Sequence, residues 1–81
     1  MRLTMIRHDA VCCIDGVCRA GIDVSSLPAD VHALQWYGDH GIVERVDPDT
    51  RHYENERITS LDPYRAVIAS WEAKSIMPEA T

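Results

Sequence analysis

Apolar and polar positions alternate along this chain in short runs separated by turn formers, the pattern of a small sheet and not of a helical bundle. Residues 3–7 read as a first strand. Val11-Cys12-Cys13-Ile14 and Val17-Cys18-Arg19-Ala20 then flank Asp15-Gly16. Asp-Gly between two β-prone runs is the strongest short-range hairpin signal, because a type I′ turn needs positive φ at both central residues. A two-residue loop also sets register: Ile14 faces Val17, Cys13 faces Cys18, and Cys12 faces Arg19.

Residues 21–30 hold Ser25, Ser26 and Pro28 and read as a connection. A second hairpin follows, with strands at 32–37 and 42–46 around Gly38-Asp39-His40-Gly41. The expected pairing sets Tyr37 opposite Ile42 and Trp36 opposite Val43. One face then carries Leu34, Trp36 and Val43, and the other Ala33, Tyr37, Ile42 and Val46. Asp47-Pro48-Asp49-Thr50 is a turn. Residues 51–59 are polar and read equally as a short strand near His52 and Tyr53 or as a loop.

The last element is the clearest. Tyr64, Val67, Ile68 and Trp71 fall at i, i+3, i+4 and i+7, one face of a helix over about 63–75. Asp62 is the expected cap and Pro63 suits the first helical position. Pro78 blocks continuation, so residues 76–81 should fray. The predicted architecture is one α+β domain over residues 1–81, an antiparallel sheet of hairpins packed against one C-terminal helix. Trp36 and Trp71 belong to its core.

Length and charge narrow the partners. At 81 residues, folding buries at most roughly 60% of the unfolded chain's surface. So thin a core gains from a homodimer or a docking partner. Eight Lys and Arg stand against thirteen Asp and Glu, a net charge of −5, and the basic residues are scattered singly. A phosphate backbone needs a positive cluster, so nucleic acid is not an expected partner. No apolar run is long enough for a membrane span, and the first eight residues lack a signal-peptide core. Cytoplasmic localisation follows, and with it reduced thiols.

The chemistry-bearing residues are few. Cys13 and Cys18 face each other at a position where Cα atoms approach to about 4.5 Å, inside disulfide range. A redox clip is one reading. The simpler expectation in a reducing compartment is two small hydrophobes on the sheet's inner face. A metal site from His8, Cys12, Cys13, Cys18 and one of His32, His40 or His52 lacks paired ligand spacing. Moreover, adjacent Cys12 and Cys13 point to opposite faces. The acidic run from Asp47 to Glu56 fails the calcium-loop pattern at Arg51. No nucleophile elbow or phosphate loop is present, so no catalytic residue, metal or cofactor is expected. One helix covers one sheet face, which leaves Tyr37, Ile42 and Val46 as the candidate partner surface.

The stretch from Ile22 to Gly38, most specifically its Leu27-Pro28-Ala29-Asp30-Val31-His32-Ala33-Leu34-Gln35-Trp36, resembles small proteins of tailed bacteriophages and prophages, whose genes lie among tail and tail-fibre genes. So does Asn55-Glu56-Arg57-Ile58-Thr59 leading into Pro63-Tyr64 and Trp71. With the Asp15-Gly16 hairpin, the resemblance spans roughly residues 11–75. It implies phage origin and a non-enzymatic role in tail or tail-fibre assembly, as a chaperone in the host cytoplasm or as a minor virion component. The remaining alternative is a metal- or redox-responsive regulator acting in the host. The resemblance carries no catalytic residues, and Cys12 and Cys13 depart from its pattern.

Overall fold

The structure is a computed structural model that describes residues 1–74. Six antiparallel strands form a single sheet: β1 (Leu3–Ile6), β2 (Val11–Ile14), β3 (Val17–Arg19), β4 (Val31–Trp36), β5 (Gly41–Val46) and β6 (Tyr53–Ile58). Their spatial order is β3-β2-β1-β4-β5-β6, two three-stranded meanders joined where β1 pairs with β4. A 3₁₀ turn at Asp62–Tyr64 leads into helix α1 (Arg65–Ala73). The α+β architecture expected from the periodicity is the one observed.

The first hairpin follows its turn chemistry. Asp15 and Gly16 take positive φ, 50° and 84°, and the register pairs Ile14 with Val17, Cys13 with Cys18 and Cys12 with Arg19. The second hairpin differs from expectation. Trp36 pairs with Gly41, Gln35 with Ile42 and Leu34 with Val43, a shift of two residues. Tyr37 leaves the strand and its N–H donates to the His40 carbonyl at 2.8 Å. The bend therefore falls on Gly38, whose φ is +112°, and on Asp39. A slip of two preserves side-chain parity, so Leu34, Trp36 and Val43 still share a face. Gly41 is needed there, since a Cβ would lie 2.8 Å from Trp36 Cε3 and 2.5 Å from the Gln35 carbonyl oxygen.

Residues 53–58 are a full strand, not a loop. Each pairs with β5, from Val46 with Tyr53 to Gly41 with Ile58. Main-chain pairing forms it although its side chains from Tyr53 to Arg57 are exposed. Near Val31 and Ala33 a register shift interrupts the β4–β5 ladder. It places both Val31 and Leu34 in the core.

One face of the sheet carries the core. Across the strands Cys12, Met5, Leu34 and Val43 stand side by side, each at 0% exposure. Over them lie Tyr64, Val67 and Ile68 of the C-terminal elements, with Ile22, Leu27 and Leu61 from the connections and Trp71 partly buried at the margin. Asp62 does not cap the helix. It sits inside the 3₁₀ turn, its carboxylate 3.4 Å from the Arg65 guanidinium, because Pro63 tightens the entry before regular helix begins. The helix stops at Ala73, where Lys74 turns extended. Its expected reach to 75 and the fraying tail 76–81 lie outside the described residues.

The far margin is sealed by β3. Arg19 lays its guanidinium 3.8 Å from the Trp71 ring centroid and donates to the Trp71 carbonyl at 2.6 Å. Trp71 Nε1 in turn donates to the Val17 carbonyl at 3.0 Å. A cation at a helix C-terminus satisfies carbonyls that the helix leaves free.

Replacing Gly41 by Ala forces a methyl group into the Trp36 contact. Urea unfolding should show a loss of about 1–3 kcal/mol, the usual cost of overpacking. An unchanged midpoint would mean that Trp36 does not rest on this strand as described.

Candidate functional site

The second face of the sheet has no helix over it among the described residues. Strand pairing arranges its side chains in two rows that cross the molecule. The first runs Cys18, Cys13, Thr4, Gln35, Ile42, Arg57, and the second Val11, Ile6, Ala33, Glu44, Asn55. Val46 and its partner Tyr53 stand beyond the second row. Ile6, Val11, Ile42 and Val46 are half-buried by their neighbours alone, while Tyr53 is 59% exposed. Thr4 Oγ1 donates to Gln35 Oε1 at 2.8 Å within the first row. A sheet with one solvated face normally alternates apolar-in and polar-out. Here several apolar residues stay on the outer side.

Ile42 and Val46 therefore share the face expected of them. Tyr37 does not join it. The shifted turn carries Tyr37 to the end of the sheet, 44% exposed. Its ring lies 5.3 Å from that of His40 and 5.6 Å from the Arg2 guanidinium. Ile6, Val11 and Tyr53 were not foreseen as surface candidates. For Ile6 and Val11 the signal was present in the alternation of β1 and β2, but the pairing of β1 with β4 was needed to align it with Ile42.

Cys13 and Cys18 lie on this open face, half-buried, with their sulfurs joined and their Cα atoms 3.9 Å apart. The placement corrects the expectation that both pack on the inner face. Alternation along β2 puts its neighbour Cys12 there instead, and leaves Cys13 outside. Burial pushes the Cys12 thiol up to about 11. Such a thiol is held protonated and out of reach, which makes it inert.

The four histidines do not form one cluster. His40 Nδ1 lies 2.6 Å from Asp39 Oδ1 at the second turn, and this hydrogen bond holds the Asp39 carboxyl below its ordinary range. His52 is 3.7 Å from Glu54 and His32 is 4.0 Å from Glu44. Among the described residues no group of three or more His, Cys, Asp or Glu is placed to hold a metal ion. No described helix is long and apolar enough to cross a membrane.

The chain matches no protein family, no curated protein and no solved structure.

Two measurements check the cysteine assignment. With three cysteines in the chain and two joined, one thiol should titrate in denaturant and all three after reduction. Native protein should expose none rapidly. The pH dependence has a defined sign. The folded Cys12 pKa lies above its ordinary value of 9.0, at about 11, so folding holds a proton that the unfolded chain releases first. The stabilisation is complete below pH 9 and lost as pH rises towards 11. Against wild type, Cys12→Ala should show a smaller fall in stability between pH 9 and 11. Parallel profiles would refute the assignment.

Proposed function

We propose that this domain is a non-enzymatic protein-interaction module that docks through the open sheet face, acting in tail or tail-fibre assembly of a phage or prophage. The observation that carries the docking reading is the apolar set Ile6, Val11, Ile42 and Val46, flanked by exposed Tyr53, on the side away from the helix. The tail-assembly setting comes from the resemblance of residues 22–38 and 55–71. A partner would gain by covering these residues, and Tyr is common at interface hot spots.

Docking by the face is favoured over strand addition at an edge. One edge strand, β3, has only three residues. The other, β6, presents Glu54, Glu56 and Arg57. Short and charged edges are the usual devices against strand addition. The acidic net charge of −5 keeps the free domain soluble while its apolar face waits for a partner. A chaperone would leave once the fibre subunit assembles, whereas a minor virion protein would remain in the particle.

A redox-responsive role in the host is the second reading, favoured by one observation. The Cys13–Cys18 pair lies in the same cross-strand row as Ile42, so a change in its bonding would be felt on the docking face.

Co-expression with the tail or tail-fibre protein encoded beside it should yield a co-purifying complex. Ile42→Asp and Val46→Asp should abolish it with little change in stability, because both side chains are half-exposed and partly solvated already. Retention of the complex by both variants would place the contact elsewhere. Mass spectrometry of purified particles then separates the chaperone, which should be absent, from the virion component.

A further inference from the structure

Two basic residues far apart in the sequence come together in space. At one end of the sheet a hollow of about 400 Å³ is lined by Arg7 and His8 after β1, His32 on β4 and Arg51 in the β5–β6 connection, over an apolar floor that includes Val31 and Val46. Two of the chain's eight Lys and Arg and two of its four His meet here. Among the described residues no Asp or Glu lines the hollow. In a chain of net charge −5, that is a local reversal of sign.

The cationic groups have free capacity. Arg7 Nη1 donates to the Pro28 carbonyl at 2.9 Å, which holds the guanidinium at the rim and commits one of its five N–H donors. Arg51 is exposed and is fixed at its backbone, where its N–H donates to the Asp47 carbonyl at 2.8 Å. Among the described residues neither guanidinium is paired with a carboxylate, in contrast to Arg45, which is held by Asp30 and Glu56 at 3.1 Å each. Among the acidic groups nearby, Glu44 lies 4.0 Å from His32, and Asp47 and Asp49 flank Pro48 in the turn that carries Arg51. Planar guanidinium forks match the paired oxygens of carboxylates and phosphates.

We infer that this hollow is a binding site for a compact oxyanion, a carboxylate or a phosphate. A long polyanion is disfavoured. Next to the hollow, sharing Pro48, lies a second depression of about 280 Å³ lined by Asp30, Asp47, Asp49 and Glu54 alongside Arg45 and His52, a surface with more carboxylates than cations that would repel any continuation of negative charge. The site does not depend on the docking reading, since the isolated chain is enough to bind an ion.

The test titrates the ¹⁵N-labelled full chain with sodium phosphate and, separately, with a short end-blocked glutamate peptide, at constant ionic strength set by sodium chloride. Saturable amide shifts at Arg7, His8, His32 and Arg51 are expected with at least one probe, and the probe that saturates names the source of the oxyanion. Arg7→Gln and Arg51→Gln should each weaken binding about tenfold, a change equivalent to roughly 1.4 kcal/mol. Should Arg7→Gln fold poorly through loss of the Pro28 contact, exposed Arg51→Gln still decides the matter. Shifts that stay linear to about 50 mM with both probes, far weaker than the millimolar scale of a specific small-ion site, overturn the proposal. Shifts that chloride reproduces, or that survive Arg51→Gln unchanged, overturn it equally.

Discussion

Pairing of β1 with β4 is the joint on which the molecule depends. Each meander alone is a three-stranded ribbon, and only the ladder from Leu3–Trp36 to Ile6–Ala33 makes them one sheet. That ladder brings Met5 beside Leu34, and so places the core row from Cys12 to Val43 under a single helix. The same ladder lines up Ile6 with Ala33 on the opposite side. One long-range pairing thus creates both the covered face and the open one, and the contrast between them is the basis of the functional reading.

The open face joins three features that have separate origins in the chain. The Cys13–Cys18 bridge comes from the first hairpin, the apolar positions from β1, β2 and β5, and the cationic hollow from the strand ends and the β5–β6 connection. His32 and Val46 lie at the boundary between face and hollow. A partner with an apolar patch and an acidic group beside it would be matched by both. The regularity of a six-stranded sheet holds these groups in place.

Much of this was legible in the order of residues, and the exceptions have physical reasons. The Asp15-Gly16 turn left one choice of register, and the spacing of Tyr64, Val67, Ile68 and Trp71 left one choice of helix face. The second hairpin had two glycines competing for its bend. Gly38 took it, and Gly41 was reserved for the approach of Trp36, a constraint invisible until the ring is placed. Strand β6 was ambiguous because an edge strand with charge on both sides has no hydrophobic period. The hollow was hidden for a different reason. Arg7 and Arg51 become neighbours only through the strand order, and no local pattern marks them.

The seal between Arg19 and Trp71 spans 52 positions of chain, which has a bearing on how the two faces arise during synthesis. At about 5–20 residues per second, the ribosome needs roughly 3 to 10 s to pass from one to the other. In the later part of that interval, once Ile42 has been made, Cys12, Met5 and Leu34 lie as bare as Ile6 and Ile42, and a nascent sheet would be apolar on both sides. Sidedness is conferred only when the helix arrives and Arg19 fastens its last turn. Until then a binding partner, or a chaperone of the host, would meet two sticky surfaces where the finished domain offers one.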